Sequence, residues 1–317
     1  MKNLLLQPAV RQKIDRRVDK ILRDLGNPEP PLRLEEVREL LRLHVSFYQT
    51  DSDGLMQRAI HNLVMAGKQI LARPSILLDV VRKRGIKALV VPDRKRILID
   101  ETLHKAKHRW VEGHETIHTI LEWHEPVLHG DNEVTMKQSC LDKVEAEANY
   151  GSGQLLFVRE RFAAEALDSA PSVELVKGLA KSFKNTHAST LWRLVETAGR
   201  ERPMLGVMHY HPAPRFASDK NDPANPCRHF IRSDAFAAMF SATTELAVFE
   251  HISRYIQPKK GGPVGSDIVI LTDENGADHE FAFETFNFGR ECLTLSVHRR
   301  KRPTSVLMDG LKTLTAI

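Results

Sequence analysis

The chain has 317 residues, of which 42% are hydrophobic and 27% are charged, and its formal net charge is +5. This length can bury a sizeable core and predicts two domains. No apolar run approaches the roughly 18 residues that cross a membrane, and the short block Leu4–Leu6 is too brief for a secretory signal. Three widely spaced cysteines, Cys140, Cys227 and Cys292, predict reduced thiols and a cytoplasmic location.

Helical periodicity dominates the first part of the chain. Residues 8–25 place apolar side chains at near-helical spacing, which predicts an amphipathic helix. Residues 45–48 begin an extended segment, and apolar runs at 88–91 and 96–99 flank a turn, which predicts a β-hairpin. Further helical patterns cover residues 34–43 and two stretches between residues 54 and 83.

The segment from Trp110 to Leu121 contains the pattern H-E-x-x-H. On a helix, residues four apart lie on one face, so His114 and His118 can bind one metal ion, and neutral imidazole suits zinc. Glu115 stands beside the first histidine, where it can accept a proton from an attacking water. The chain contains 15 histidines, so a solvated helix with two incidental histidines is the alternative interpretation.

A third ligand is expected on another helix, because zinc in a hydrolase usually has three protein ligands. Residues 141–149 are rich in helix-forming residues and contain two carboxylates, Glu145 and Glu147. These residues are two apart, so their side chains point in different directions on a helix and are not expected to bind one ion together. Spacing alone does not choose between them.

Together these motifs resemble the ImmA/IrrE family of zinc metallopeptidases. That family follows the H-E-x-x-H helix with an E-x-E-A-N sequence, which stands here at residues 145–149. The resemblance implies that His114, His118 and Glu145 bind the zinc ion. It also implies that Glu115 is the general base. The motifs do not extend into the last third of the chain.

The predicted fold class is α+β, in two domains. Residues 1–200 are expected to form a mainly helical, zincin-like metallopeptidase domain. It has a helical N-terminal extension, a small β-sheet and a helix–turn–helix-like pair from about residue 172. Residues 201–317 are expected to form a mixed, mostly β domain with a sensory or substrate-docking role. Its strand patterns lie at residues 204–211, 267–272, 279–286 and 292–298, and Asn275–Gly276 predicts a hairpin turn.

The helix pair at residues 173–183 and 188–198 could bind DNA or pack on the peptidase core. The exposed face of its second helix is expected to carry Ser189, Arg193 and Glu196. That face is not strongly basic. The basic run at residues 298–302 can contact nucleic acid or acidic protein, or simply form solvated surface. The sequence therefore supports a nucleic-acid partner only weakly.

Other polar residues are weaker candidates. An additional donor to the oxyanion is expected in a peptidase, and proximity in the sequence suggests His124, His129 or Tyr150. Asp142 or Glu147 could orient a ligand imidazole, and Glu147 fits a salt-bridged surface position equally well. His209 and His211 share a strand face and suggest a second metal site, although the sequence specifies no third ligand for it.

The sequence thus predicts a zinc-dependent endopeptidase with one zinc ion per chain that makes a limited cut in a protein substrate. The resemblance implies a transcriptional repressor of the helix–turn–helix type as that substrate, in stress response or mobile-element regulation. One alternative is a non-proteolytic, zinc-stabilised regulator that binds a partner protein or DNA, and another is a toxin–antitoxin component that acts by protein contact. Manganese remains an alternative to zinc for this set of ligands.

Overall fold

The computed structural model describes residues 4–48, 88–91, 95–103, 105–125, 138–216, 222, 224–289 and 291–303. The helical patterns between residues 54 and 83, the turn at 92–94 and the candidate His129 lie outside the described residues. The chain divides into two compact units. The first comprises residues 2–170 and 174–193, and the second comprises residues 171–173 and 194–317.

Helices make up most of the first unit. Helix α1 is amphipathic, as its sequence predicts, and it buries Ile14, Val18 and Ile21 at helical spacing. Helix α2 ends where Arg42 adopts a left-handed conformation with φ of 54°. The helices of the chain up to residue 198 are α1 (Pro8–Asp24), α2 (Leu34–Leu41), α3 (Lys105–Ile120), α4 (Gln138–Leu156), α5 (Glu160–Leu167), α6 (Val173–Ser182) and α7 (His187–Ala198).

A three-stranded sheet accompanies these helices, in the order β1–β3–β2. Its strands are β1 (His44–Tyr48), β2 (Ala88–Val91) and β3 (Arg96–Asp100). Strands β2 and β3 pair antiparallel, which confirms the predicted hairpin, and β1 pairs parallel to β3. Ile97, Leu98 and Ile99 of β3 are all buried, as expected of a central strand that is covered on both faces.

Helices α3 and α4 approach each other closely at glycines. A Cβ atom at Gly113 of α3 would lie 2.9 Å from Leu156 Cδ1. A Cβ atom at Gly151 of α4 would lie 2.8 Å from Ile117 Cγ2 and 3.1 Å from Ile14 Cγ2. Real Cβ atoms essentially never come within 3.0 Å of such neighbours, so the glycines permit this approach. It brings the helix with H-E-x-x-H against the helix with Glu145.

The second unit contains a five-stranded antiparallel sheet in the order β5 (Cys227–Arg232), β4 (Met204–Tyr210), β8 (Glu291–Lys301), β7 (Asp278–Asn287) and β6 (Gly262–Thr272). Helices α8 (Asp234–Met239) and α9 (Glu245–Tyr255) contribute to its core, where Phe236 and Val248 pack with Phe281 and Phe283 of the sheet. Gly276 has a φ of 77° in the β6–β7 turn, as the Asn-Gly sequence predicts. The α+β class is confirmed.

A buried row of hydrogen bonds crosses this second sheet. His209 donates from Nδ1 to the Tyr210 carbonyl at 2.8 Å, so its Nε2 accepts from the Thr294 hydroxyl at 3.0 Å. Thr294 bonds Thr285 at 2.7 Å, and Thr285 bonds Tyr255 at 2.6 Å. Both nitrogens of His209 are thus used within the fold.

The glycine packing in the first unit can be tested by adding single methyl groups. Gly151→Ala should lower the free energy of unfolding, because overpacking costs about 1–3 kcal/mol and outweighs a helix-propensity gain of up to about 1 kcal/mol. Gly178→Ala in α6 is the matched control, since nothing lies within 4 Å of its added Cβ. It should stabilise the protein by up to about 1 kcal/mol. Thermal unfolding midpoints that shift in the same direction for both variants would contradict the packing.

His209 predicts a loss of stability in acid. Burial lowers the pKa of His209 to about 4, and nearby His211 lowers it further against the opposing Tyr210 bond. An unfolded histidine titrates near pH 6.5, so between about pH 6.5 and 4 only the unfolded chain takes up this proton. The free energy of unfolding should fall by up to about 3 kcal/mol across that window. The unfolding midpoint of His209→Asn should depend less on pH than that of wild type, and equal dependence would refute the assignment.

Candidate metal centre

His114, His118 and Glu145 come together in the first unit. Helix α3 places the two histidines one turn apart, and their Nε2 atoms are 3.1 Å from each other. Glu145 of α4 brings Oε2 to 3.3 Å from His114 Nε2 and Oε1 to 3.7 Å from His118 Nε2. Within the described residues, this is the group of histidine, cysteine, aspartate or glutamate side chains that could hold a metal ion.

The remaining ring nitrogens fix how the two imidazoles face this point. His114 Nδ1 lies 3.1 Å from the Asn149 amide oxygen, and His118 Nδ1 lies 2.9 Å from His124 Nδ1. When both rings are neutral with their protons on Nδ1, the two Nε2 atoms carry only lone pairs and face each other beside a carboxylate. Three acceptors that converge without a donor repel one another, and a cation at their centre removes that repulsion.

The spacing of these acceptors fits a zinc site. Ligand atoms about 2.0–2.1 Å from one tetrahedral zinc ion are about 3.3–3.4 Å apart. The two Nε2 atoms are 3.1 Å apart, and Glu145 lies 3.3 Å from His114 through Oε2 and 3.7 Å from His118 through Oε1. Two imidazole nitrogens and one carboxylate oxygen also match the donor types of hydrolytic zinc sites. The Glu145 side chain is 46% exposed, so the cluster is open to solvent on its side.

Burial shifts the pKa values of the groups around this cluster. It raises the pKa of Glu115 to about 7, with Glu145 adding to the shift and His114 opposing it. Burial, His114 and His124 hold the pKa of His118 well below its usual value. Burial also acts to lower the pKa of His114, but Glu145, Glu115 and Asn149 outweigh it and raise that pKa. A carboxyl group that titrates near neutral pH can both accept and release a proton.

The structure separates the two carboxylates of α4, as their spacing predicts. Glu145 faces the two histidines of α3, whereas Glu147 accepts hydrogen bonds from His124 and Trp123. Asn149 is a partner that the sequence analysis missed. It lies one turn after Glu145 on the same helix face, and that i, i+4 spacing is the signal that could have identified it.

The described candidates for an oxyanion donor are engaged elsewhere. His124 is fully buried, and both of its ring nitrogens have partners. The Tyr150 hydroxyl donates to Asp15 of α1 at 3.1 Å. Asp142, the other residue considered for orienting a ligand, is exposed. The geometry therefore gives His124 and Tyr150 structural partners in place of a substrate oxygen.

The structure gives different surroundings from those expected for two further features of the sequence. Arg193 does not lie on an exposed face of α7, because it is 3% exposed and its guanidinium donates to Gln154 at 2.7 Å. The residues of α7, which is described throughout, are buried or half-buried, and Ser189 and Glu196 are among the half-buried ones. The suggested histidine pair of the second unit is satisfied internally, since His211 accepts from the Ala213 amide and its Nε2 lies 3.1 Å from the Gln257 carbonyl.

In the described part of the chain, no helix has the length and apolar character needed to span a membrane. No curated protein gives a match to the sequence. Among solved structures, a Mycobacterium tuberculosis transcriptional regulator is similar, with a TM-score of 0.49 and 10% sequence identity. That similarity covers 90% of this chain and 88% of the regulator.

A family model matches the part of the chain that builds the cluster. Residues 75–194 match the IrrE N-terminal-like domain, Peptidase_M78. This range contains both histidines of H-E-x-x-H, the glutamate between them and Glu145. The resemblance seen in the sequence is thereby confirmed for this part of the chain, and the match supports a function of the metallopeptidase type.

Proposed function

We propose that the protein is a zinc-dependent endopeptidase that makes a limited cut in a protein substrate. The observation that carries the proposal is that His114, His118 and Glu145 bring potential metal-ligand atoms close together. Glu115 adds a half-buried carboxyl group next in sequence to His114. The Peptidase_M78 match over residues 75–194 supports a function of the metallopeptidase type.

The proposed roles follow from the positions of these side chains. His114, His118 and Glu145 would hold the zinc ion, which would supply a Lewis acid for a peptide carbonyl and for an attacking water. Glu115 accepts the proton of that water and returns it to the leaving amine. Asn149 keeps His114 turned with Nε2 toward the cluster.

We further propose a transcriptional repressor of the helix–turn–helix type as the substrate, in stress response or mobile-element regulation. A single cut in one protein requires recognition beyond the catalytic residues. The second unit is the candidate for that role, either as a docking surface or as a sensor. The three cysteines, Cys140, Cys227 and Cys292, are all free thiols and accord with a cytoplasmic location.

Metal content tests the proposed ligand set. Wild-type protein dialysed against zinc should hold about one zinc ion per chain, and His114→Ala and Glu145→Ala should each lose it, because a three-ligand site fails when one ligand is removed. Mass spectrometry of the metal in the purified proteins gives the stoichiometry. His251→Ala in α9 is the control and should retain zinc. Full zinc content in both ligand variants would contradict the assignment.

The Glu115→Gln variant separates catalysis from metal binding. It should retain zinc, since Glu115 is not a ligand, but cleave about 10²–10⁴-fold more slowly because glutamine cannot accept the proton. Cleavage can be followed by mass spectrometry of new amino termini in a peptide library incubated with the zinc-loaded protein. Unchanged cleavage by the variant would remove Glu115 from the mechanism. A wild-type protein that binds zinc and cuts nothing would favour the non-proteolytic, zinc-stabilised regulator.

A further inference from the structure

A buried chain of polar groups lies behind His118. His118 Nδ1 is 2.9 Å from His124 Nδ1, and His124 Nε2 is 3.1 Å from Glu147 Oε2. The Trp123 indole donates to the same carboxylate oxygen at 2.6 Å. His124 is fully buried, and the Glu147 side chain is only 13% exposed. These contacts join the 3-10 turn Glu122–His124, which follows α3, to the middle of α4.

The chemistry of the end groups sets the direction of the hydrogen bonds. An indole nitrogen can only donate, so Glu147 Oε2 is an acceptor. The N–H of His124 that points at this oxygen is therefore on Nε2, which leaves the lone pair of the neutral ring on Nδ1. That lone pair accepts the Nδ1 proton of His118. His118 thus carries its proton on Nδ1, and the unprotonated Nε2 of His118 faces His114 and Glu145.

We propose that His124 and Glu147 are positioning residues that hold His118 in the tautomer and orientation required for metal binding. This inference rests on the proposed zinc centre and extends it to side chains that do not touch the ion. Glu147 acts through His124, and Trp123 fixes the carboxylate that orients His124. Histidine ligands commonly donate their second N–H to a partner of this kind, and removal of such a partner typically costs 10–100-fold in metal affinity.

Helix α4 would then supply side chains that orient both histidine ligands. Asn149 contacts His114 directly, whereas Glu147 reaches His118 only through His124. The His124 imidazole lies between His118 and Glu147 and has one nitrogen for each of them. An apolar side chain of similar size at position 124 could fill the volume but would leave the His118 proton without an acceptor. His118 would then be free to place its proton on Nε2, where it blocks the metal.

The test compares zinc affinity among variants by competition with a chromophoric chelator. His124→Leu removes both nitrogens and should weaken zinc binding about 10–100-fold. His124→Asn keeps an acceptor near the Nδ1 position and should recover much of that loss. The matched control is His279→Leu in the second unit. His279 is also buried between a carboxylate, Asp273, and another imidazole, His298, and its loss should leave zinc affinity unchanged.

A spectroscopic measurement separates positioning from a general loss of structure. In ¹⁵N-histidine spectra of the zinc-loaded wild type, His118 should show a proton on Nδ1 and coordination through Nε2. Metal-free His124→Leu should show His118 with its proton shared between the two nitrogens, whereas metal-free wild type should keep it on Nδ1. If His124→Leu does not fold, Glu147→Ala becomes the deciding variant and should show the same decrease in zinc affinity, about 10–100-fold.

The outcomes distinguish this inference from the function on which it rests. Zinc affinity within twofold of wild type for folded His124→Leu, or for Glu147→Ala in its place, would overturn the positioning role while leaving the zinc centre intact. A loss in His124→Asn as large as that in His124→Leu would also overturn it, because the acceptor would then be irrelevant. A wild-type protein that binds no zinc would instead remove the proposed metal centre itself.

Discussion

The proposed metal centre depends on three potential ligand groups that the first unit holds close together. His114 Nε2, His118 Nε2 and the Glu145 carboxylate lie between 3.1 and 3.7 Å from one another, and none of them has a proton to share when both rings are neutral with their protons on Nδ1. Such a cluster is unfavourable by itself and favourable around a cation. The contacts around these three side chains hold the cluster in place.

Two kinds of contact maintain the cluster. Gly113 and Gly151 let α3 and α4 approach until side chains from both helices reach a common point. Partners behind the histidines then set their orientation, with Asn149 bonded to His114 and His124 bonded to His118. The ligands, the close helix packing and the orienting partners all lie on α3, α4 and the 3-10 turn Glu122–His124. A change in the packing of these helices should therefore affect metal affinity even where no ligand is altered.

The sequence predicts the fold class, the β2–β3 hairpin and the amphipathic α1, because periodicity and turn residues are local signals. It does not predict that Arg193 is buried, since a partner such as Gln154 is remote in the sequence. His124 shows the same limit. Its place in the sequence suggested an oxyanion donor, but its role depends on Glu147, a residue 23 positions away on another helix. Only the packing of α3 against α4 brings the two together.

X-ray absorption at the zinc edge of the zinc-loaded protein is the most direct test of the central claim, that two histidines and one glutamate hold the metal. The account predicts a four-coordinate first shell of nitrogen and oxygen atoms at about 2.0–2.2 Å, with outer-shell scattering from two imidazole rings. A sulfur atom at about 2.3 Å, or a shell without imidazole scattering, would contradict it. A sulfur ligand would place the metal at a cysteine and away from the cluster that α3 and α4 build.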